Sequence, residues 1–545
     1  MSDISIAMRR FCTIILTAAL CLNIGIATAS DNRPRLVINL VVSSMRATDL
    51  ERYSDNFVDG GIRSLVQNGA TFTDAHHNYM LTSTPAGLAT IATGTQPSVH
   101  GIIGDRWWNY VDSSNVELIR DRKHRPVEFS TGTGNYSAHR LTASTIGDML
   151  LNANDASMQY SLAIDPLSAI LMNGKQGVPF WAEKNQTHWT TSSAYMANVP
   201  TWVKEYNSQD YNNFYTLARW SPLHDITLYH NYEVAVVEDI KGRQTRLLSD
   251  IDMSLSKSPH GHMCYTPAGN TMLLKFARSL IIYERLGADD NTDILNICFD
   301  ASRYIAECYG PESIEYEDML YRLDRDIADF LTFVYSKVAS DDVVVCLTSD
   351  HGTSPSYNRV GKEPAERFNT RQMEVIVNAF LGARYGSENY ILGFANNAIY
   401  LNHQLILGKH LSLEQIREEV AVFMLQLRGV ASAISTTALR NTSFTEGRNH
   451  LIQQSYYATR SGDVIVDLMP GCIVESNDTR STSISGYRYS SHVPLVIVGG
   501  GIKAGRYDDE VDITRLAPTI AKIMGIDAPW ASTAKPLNEI LNTNK

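Results

Sequence analysis

Val343-Val344-Val345-Cys346-Leu347-Thr348, followed at once by Ser349-Asp350-His351-Gly352, decides the fold class of this chain. An unbroken apolar, β-branched run without polar alternation is the pattern of a strand buried on both faces of a mostly parallel sheet. It ends on a carboxylate and an imidazole side by side, and in open sheets of that kind sites form beyond the carboxyl ends of the strands. Working outward, similar runs occur at Leu36–Val42, Ile294–Phe299, Val464–Met469 and Leu495–Val498. Between them, Leu320, Leu323, Ile327, Phe330, Leu331 and Val334 recur at helical spacing within Tyr316–Val338, and Leu413–Leu427 and Ile513–Met524 read the same way. The alternation predicts an α/β sandwich, a mostly parallel central sheet flanked by helices. Two stretches read as insertions: 176–275, rich in Trp, Tyr, Ser and Asn, and 353–455, which carries its own helix.

The chain has 545 residues, 44% hydrophobic and 19% charged, which excludes a disordered, collagen-like or coiled-coil protein. Its 47 basic and 58 acidic residues give a formal charge of −11, which argues against a broad nucleic-acid or anionic-membrane surface. Seven Cys are too few for a disulfide scaffold, and Cys298 and Cys346 read as small buried hydrophobes within strands. Residues 1–29 read as a secretory signal peptide: Met8-Arg9-Arg10, an apolar run from Phe11 to Ile26, then the small-x-small site Ala27-Thr28-Ala29. Residues 30–545 are then one exported domain with insertions, periplasmic or secreted; the alternative is an uncleaved anchor. No later segment is long and apolar enough to cross a bilayer.

Three segments carry chemistry. In Thr82-Ser83-Thr84-Pro85-Ala86-Gly87, Pro after Thr reads as a helix start with Thr84 at the N-cap. Its hydroxyl then lies beside unpaired backbone N–H groups, where an anion such as phosphate settles; alternatively it is an ordinary cap. Asp350 and His351, at a strand end, suit a metal that accepts hard O and borderline N donors, although a strand-ending Asp often only caps a turn. His492, before Val493-Pro494, enters the last strand as a ligand or as a structural His.

In this order the segments resemble the alkaline phosphatase superfamily, in its single-chain periplasmic phosphomonoesterase branch, related to the nucleotide pyrophosphatase/phosphodiesterases. Gly60-Gly61-Ile62, Thr93-Gly94-Thr95 through His100-Gly101-Ile102-Ile103-Gly104, Thr266-Pro267-Ala268-Gly269-Asn270, Arg367-Phe368-Asn369 and Arg460-Ser461-Gly462-Asp463 carry the resemblance further. It implies an alkaline-phosphatase-like sandwich and two zinc ions, one activating a Thr or Ser nucleophile and one stabilising the leaving oxygen. By this resemblance Thr84 matches the nucleophile, Asp350, His351 and His492 match metal ligands, and Asp105 stands where the family binds substrate through Asn. An aromatic-rich insertion usually lines the site there, so Trp181, Trp189 and Tyr195 are substrate contacts or local core.

The remaining positions depart from the pattern. Ser43 replaces the Asp after the first strand; Arg303 and Glu307 replace the Asp and His of D-x-x-x-H; Asp165 and Leu167 replace the Lys and Arg of the phosphate clamp; Leu88 replaces a His. A guanidinium about 4 Å from a divalent ion repels it by roughly 2 kcal/mol even in water. The chain is therefore expected to hold zinc at one reduced site at most, not as a two-zinc centre. Arg303 either pairs with Glu307, one helical turn on, or substitutes for a lost cation beside Asp350, Glu307 or a bound anion. The expected function is that of an exported superfamily protein that is inactive or strongly impaired as a phosphomonoesterase. The alternative is a one-metal hydrolase of a phosphodiester, sulfate or other ester with Thr84 as nucleophile. Its partner is a small anionic or ester ligand, with no nucleic acid and no membrane in the mature form.

Overall fold

A computed structural model describes residues 33–127, 134–183, 188–209, 219–231, 236–238, 244–246, 251–252, 263–356, 367–474 and 479–542. The signal-peptide expectation lies outside them. Seven strands position the site: β1 (Leu36–Val42), β2 (Ala70–His76), β3 (Gln159–Ala163), β4 (Val178–Ala182), β5 (Asp293–Phe299), β6 (Val343–Thr348) and β7 (His492–Gly499). They lie in the order β2-β7-β6-β1-β5-β3-β4 within a larger sheet. β6, β1, β5, β3 and β4 run parallel, as the unbroken apolar runs imply, while β7 is antiparallel to both β6 and β2.

Both faces of the sheet are covered. Along β1 the side chains alternate: Leu36, Ile38, Leu40 and Val42 enter one apolar core, and Val37 and Val41 enter another. Cys298 and Cys346 are buried beside Val37 and Val41, as expected. Val464–Leu468 is also buried, but in a separate four-stranded sheet with Ile391–Ala395, Ala398–Leu401 and Val430–Ser435, which has its own core. Three of its four strands come from the 353–455 stretch.

The 176–275 stretch does not lie wholly outside the main sheet, because it supplies β4 and the strand Trp189–Ser192 paired with it. Trp181 and Trp189 are core residues, Trp189 stacking on Phe276 at 4.1 Å between ring centres. Tyr195 donates its hydroxyl to the Gly174 carbonyl. Among the described residues, no helix is long and apolar enough to cross a membrane.

The parallel register sets the site. Val41 of β1 lies level with Cys298 of β5 and Thr348 of β6, so the residues after these three strands emerge at one edge. There Ser43, the helix α2 (Asp300–Tyr309) and Asp350 meet the N-terminus of α1 (Thr84–Thr93). Gly87 makes that approach possible, since a Cβ on it would overlap the Asp350 backbone carbonyl. In a free helix Gly→Ala stabilises by about 1 kcal/mol. Here overpacking against backbone, typically about 1–3 kcal/mol, outweighs that gain. Gly87→Ala is expected to lower the denaturant midpoint; an unchanged or higher midpoint would show that α1 does not touch Asp350.

Candidate active site

Ser83 caps α1 with extended backbone, and the helix starts at Thr84 with Pro85 in its first turn, one residue from the sequence expectation. The Ser83 hydroxyl is buried without a hydrogen-bond partner among the described residues. Thr84 Oγ1 lies 3.0 Å from His351 Nε2. His351 Nδ1 lies 2.7 Å from the Gly352 carbonyl, which can only accept. Nδ1 therefore carries a proton, and in the neutral ring Nε2 accepts from the Thr84 hydroxyl.

Asp350 is fully buried and accepts from the Ser43 hydroxyl (2.6 Å) and from the backbone N–H groups of Ser44 (3.2 Å) and His351 (2.9 Å). Burial alone would push its carboxyl up; the His351 ring, the Ser43 hydroxyl, Arg303 and the Ser44 amide outweigh burial and hold it below the ordinary value. Asp350 Oδ2 is 3.6 Å from His351 Nε2. Thr84, Asp350 and His351 thus converge, with Ser43 bound to the carboxylate. A hydroxyl, a carboxylate and an imidazole at this spacing fit one divalent ion of the zinc class.

Beside this cluster, Arg303 of α2 is largely buried. Its Nη2 lies 3.3 Å from Asp165 and its Nη1 3.9 Å from Glu307. The Glu307 pair matches the sequence expectation, but Asp165 is the closer partner. Asp165 also accepts from the Tyr304 hydroxyl at 3.0 Å and caps the helix Pro166–Asn173 through the Leu167 N–H. Asp300 accepts from the Asp165 N–H (2.9 Å) and the Ser168 hydroxyl (2.6 Å). Burial alone would push the guanidinium down; Tyr304, Glu307, Asp165 and Asp300 outweigh it and keep Arg303 charged. Arg303 and Asp165, which read as separate departures in the sequence, form one ion pair. Arg303 thus places a fixed positive charge between Asp165 and Glu307.

The other two expected site residues face elsewhere. Asp105 is 55% exposed at its side chain, against Arg106 at 3.4 Å. His492 lies directly across from His76 of β2, their rings stacked 4.8 Å apart, and its Nε2–H donates to the Thr73 carbonyl at 2.8 Å. Among the described residues none of its hydrogen bonds or ion pairs reaches Asp350 or His351. Its neighbours are Asp74 and His76, which the sequence reading passed over. The cue was Asp74-Ala75-His76, a two-residue spacing that puts both side chains on one face of a strand. His77, also passed over, is buried and donates from Nε2 to the Ser349 carbonyl at 3.0 Å; burial pushes its imidazole down to about 4.

Fold and site together define an α/β protein of the alkaline phosphatase superfamily. The chain belongs to the type I phosphodiesterase / nucleotide pyrophosphatase family, whose model matches residues 37–488. It is 29% identical over 518 residues to alkaline phosphatase PafA of Elizabethkingia meningoseptica, covering 93% of this chain and 95% of that one. Alkaline phosphatase PhoV of Synechococcus elongatus is 27% identical over 521 residues, covering 93% of each. The crystal structure of wild-type PafA superposes with a TM-score of 0.87 at 28% identity, over 94% of this chain and 99% of that one. Murine ectonucleotide pyrophosphatase / phosphodiesterase 5 shares the fold, with a TM-score of 0.53 at 11% identity over 93% of this chain and 100% of that one.

Arg303→Met leaves Asp165, Asp300 and Glu307 without their shared cation and is expected to cost about 3–5 kcal/mol in denaturant unfolding. Burial, and then the Asp165 charge, already pushes the Asp300 carboxyl up, so the fold holds protons there that the unfolded chain releases. Stability from this group falls as pH rises from the ordinary carboxylate range toward neutrality, and the variant's deficit shrinks in mild acid. A deficit independent of pH would contradict the charge assignment.

Proposed function

We propose that this chain is an exported member of the superfamily, strongly impaired as a phosphomonoesterase, that keeps one half of the ancestral site for a small anionic or ester ligand. The observation that carries this reading is the Arg303 guanidinium held by Asp165 and Glu307. It occupies the neighbourhood in which the resemblance places a second zinc, and His492 does not join Asp350 and His351. The remaining half would hold zinc through Asp350, His351 and Thr84, where the ion would polarise a phosphoryl or sulfuryl oxygen. Asp165 and Leu167, in place of two basic residues, disfavour a doubly charged monoester. Export rests on the signal-like segment 1–29, and N-terminal sequencing of the mature protein should begin near Ser30.

A second reading is favoured by the Thr84–His351 contact at 3.0 Å. Thr84 is positioned at a buried helix N-terminus as a nucleophile would be. Its oxygen would bond to the phosphorus or sulfur of a singly charged ester as the leaving oxygen departs, and water would then release the ligand.

Zinc content and turnover test both. Comparing wild type with His351→Ala after zinc dialysis should show a loss of at most about one ion per chain. Turnover of p-nitrophenyl phosphate should fall at least about a hundredfold below that of PafA, the scale of losing one transition-state stabiliser. Loss of about two ions, with rapid monoester turnover abolished in Thr84→Ala, would overturn the proposal. Turnover of bis(p-nitrophenyl) phosphate that is lost in Thr84→Ala selects the second reading.

A further inference from the structure

From strand geometry we infer a further metal site, formed by Asp74, His76 and His492, for a borderline divalent ion of the zinc class. Asp74 and His76 are two residues apart on β2 and project to the same face. His76 and His492 are register partners between β2 and β7, and directly opposed residues also share a face. The register shifts by one residue between Phe72 and Ala75, a bulge that contains Thr73 and Asp74. Bulges re-aim side chains locally.

One donor atom from each of the three residues lies within 4.8 Å of the others. His76 Nε2 is 2.9 Å and His492 Nε2 3.9 Å from Asp74 Oδ1. The side chains are 28% exposed for Asp74, 9% for His76 and 12% for His492, so the donors are largely held in place by packing while one side stays open to water. Two imidazoles and a carboxylate with an open fourth position are a zinc-type donor set.

Without an ion, Arg488 does the neutralising. Its Nη2 donates to Asp74 Oδ1 at 2.6 Å, and its Nη1 is 3.5 Å from His76 Nε2. Its side chain is 68% exposed, so it can swing into water without unpacking the core. On binding, each imidazole carries its proton on Nδ1 and offers Nε2 to the ion. Ser491 Oγ, 3.3 Å from His76 Nδ1, accepts that hydrogen bond, as outer partners of ligating His residues do. His492 gives up its bond to the Thr73 carbonyl. The ion would clamp β2 to β7 where His77 meets the Ser349 carbonyl, one residue before Asp350.

Zinc dialysis with metal analysis, together with thermal unfolding at graded zinc, tests this separately from the Thr84 half-site. Wild type should hold an ion that His76→Ala and His492→Ala each lose and that His351→Ala keeps, and the first two should lose the zinc-dependent rise in Tm. Arg488→Gln removes the competing cation and should bind zinc about tenfold tighter. Should the alanine variants fail to fold, near-isosteric Asp74→Asn should weaken binding at least about tenfold. Unchanged stoichiometry in the histidine variants and Asp74→Asn, or weaker binding in Arg488→Gln, would overturn the site. Loss of an ion in His351→Ala alone speaks only to the Thr84 half-site.

Discussion

A guanidinium cannot shed its proton inside a protein, so wherever Arg303 is buried the surroundings must supply negative charge. That requirement organises this edge of the molecule. Asp165 caps its helix with one oxygen and meets the cation with the other, Tyr304 donates to the same carboxylate, Asp300 receives the Asp165 amide, and Glu307 lies on the far side. Asp350 feels the same positive charge from the neighbouring strand end. Taking two charges out of water costs several kcal/mol per ion, so the cation is held because several acidic groups share it, not because a single buried ion pair is strong in itself.

The scaffold that presents these groups is conventional for a parallel sheet. Three neighbouring strands end in step, a helix N-terminus is brought down on them, and a single glycine sets how close it comes. The backbone would serve a metallohydrolase or a binding protein equally well, so the distinction between them lies in side-chain charge.

What was legible in the sequence follows from how local each signal is. The strand runs and the helix before Val338 needed only neighbouring residues, as did the Thr84 helix start and the Asp350-His351 pair. Val464–Leu468 was legible as a buried strand but not as part of the small sheet, because burial on both faces looks the same in any sheet. β4 was hidden by Pro179, a residue that argues against an interior strand. Arg303 and Asp165 lie 138 residues apart, so nothing near either one announces the pair. His492 read as a metal ligand because its motif follows the family order; register adds that its ring lies against His76 of β2. Asp74 and His76 needed that same register before their spacing meant anything.

The place of β7 in the sheet has a consequence for how the chain reaches this state. The last of the seven strands is inserted between β2 and β6, both laid down well before it, and among the described strands it is what joins them. Until residues 492–499 are synthesised, the sheet is split with two open edges, each an apolar template for wrong pairing. Closing such long loops is slow, and the nascent polypeptide must be kept from aggregating until its carboxyl terminus is released. On the export route proposed above, that delay would keep the chain threadable through a translocation pore, with its architecture completed on the far side.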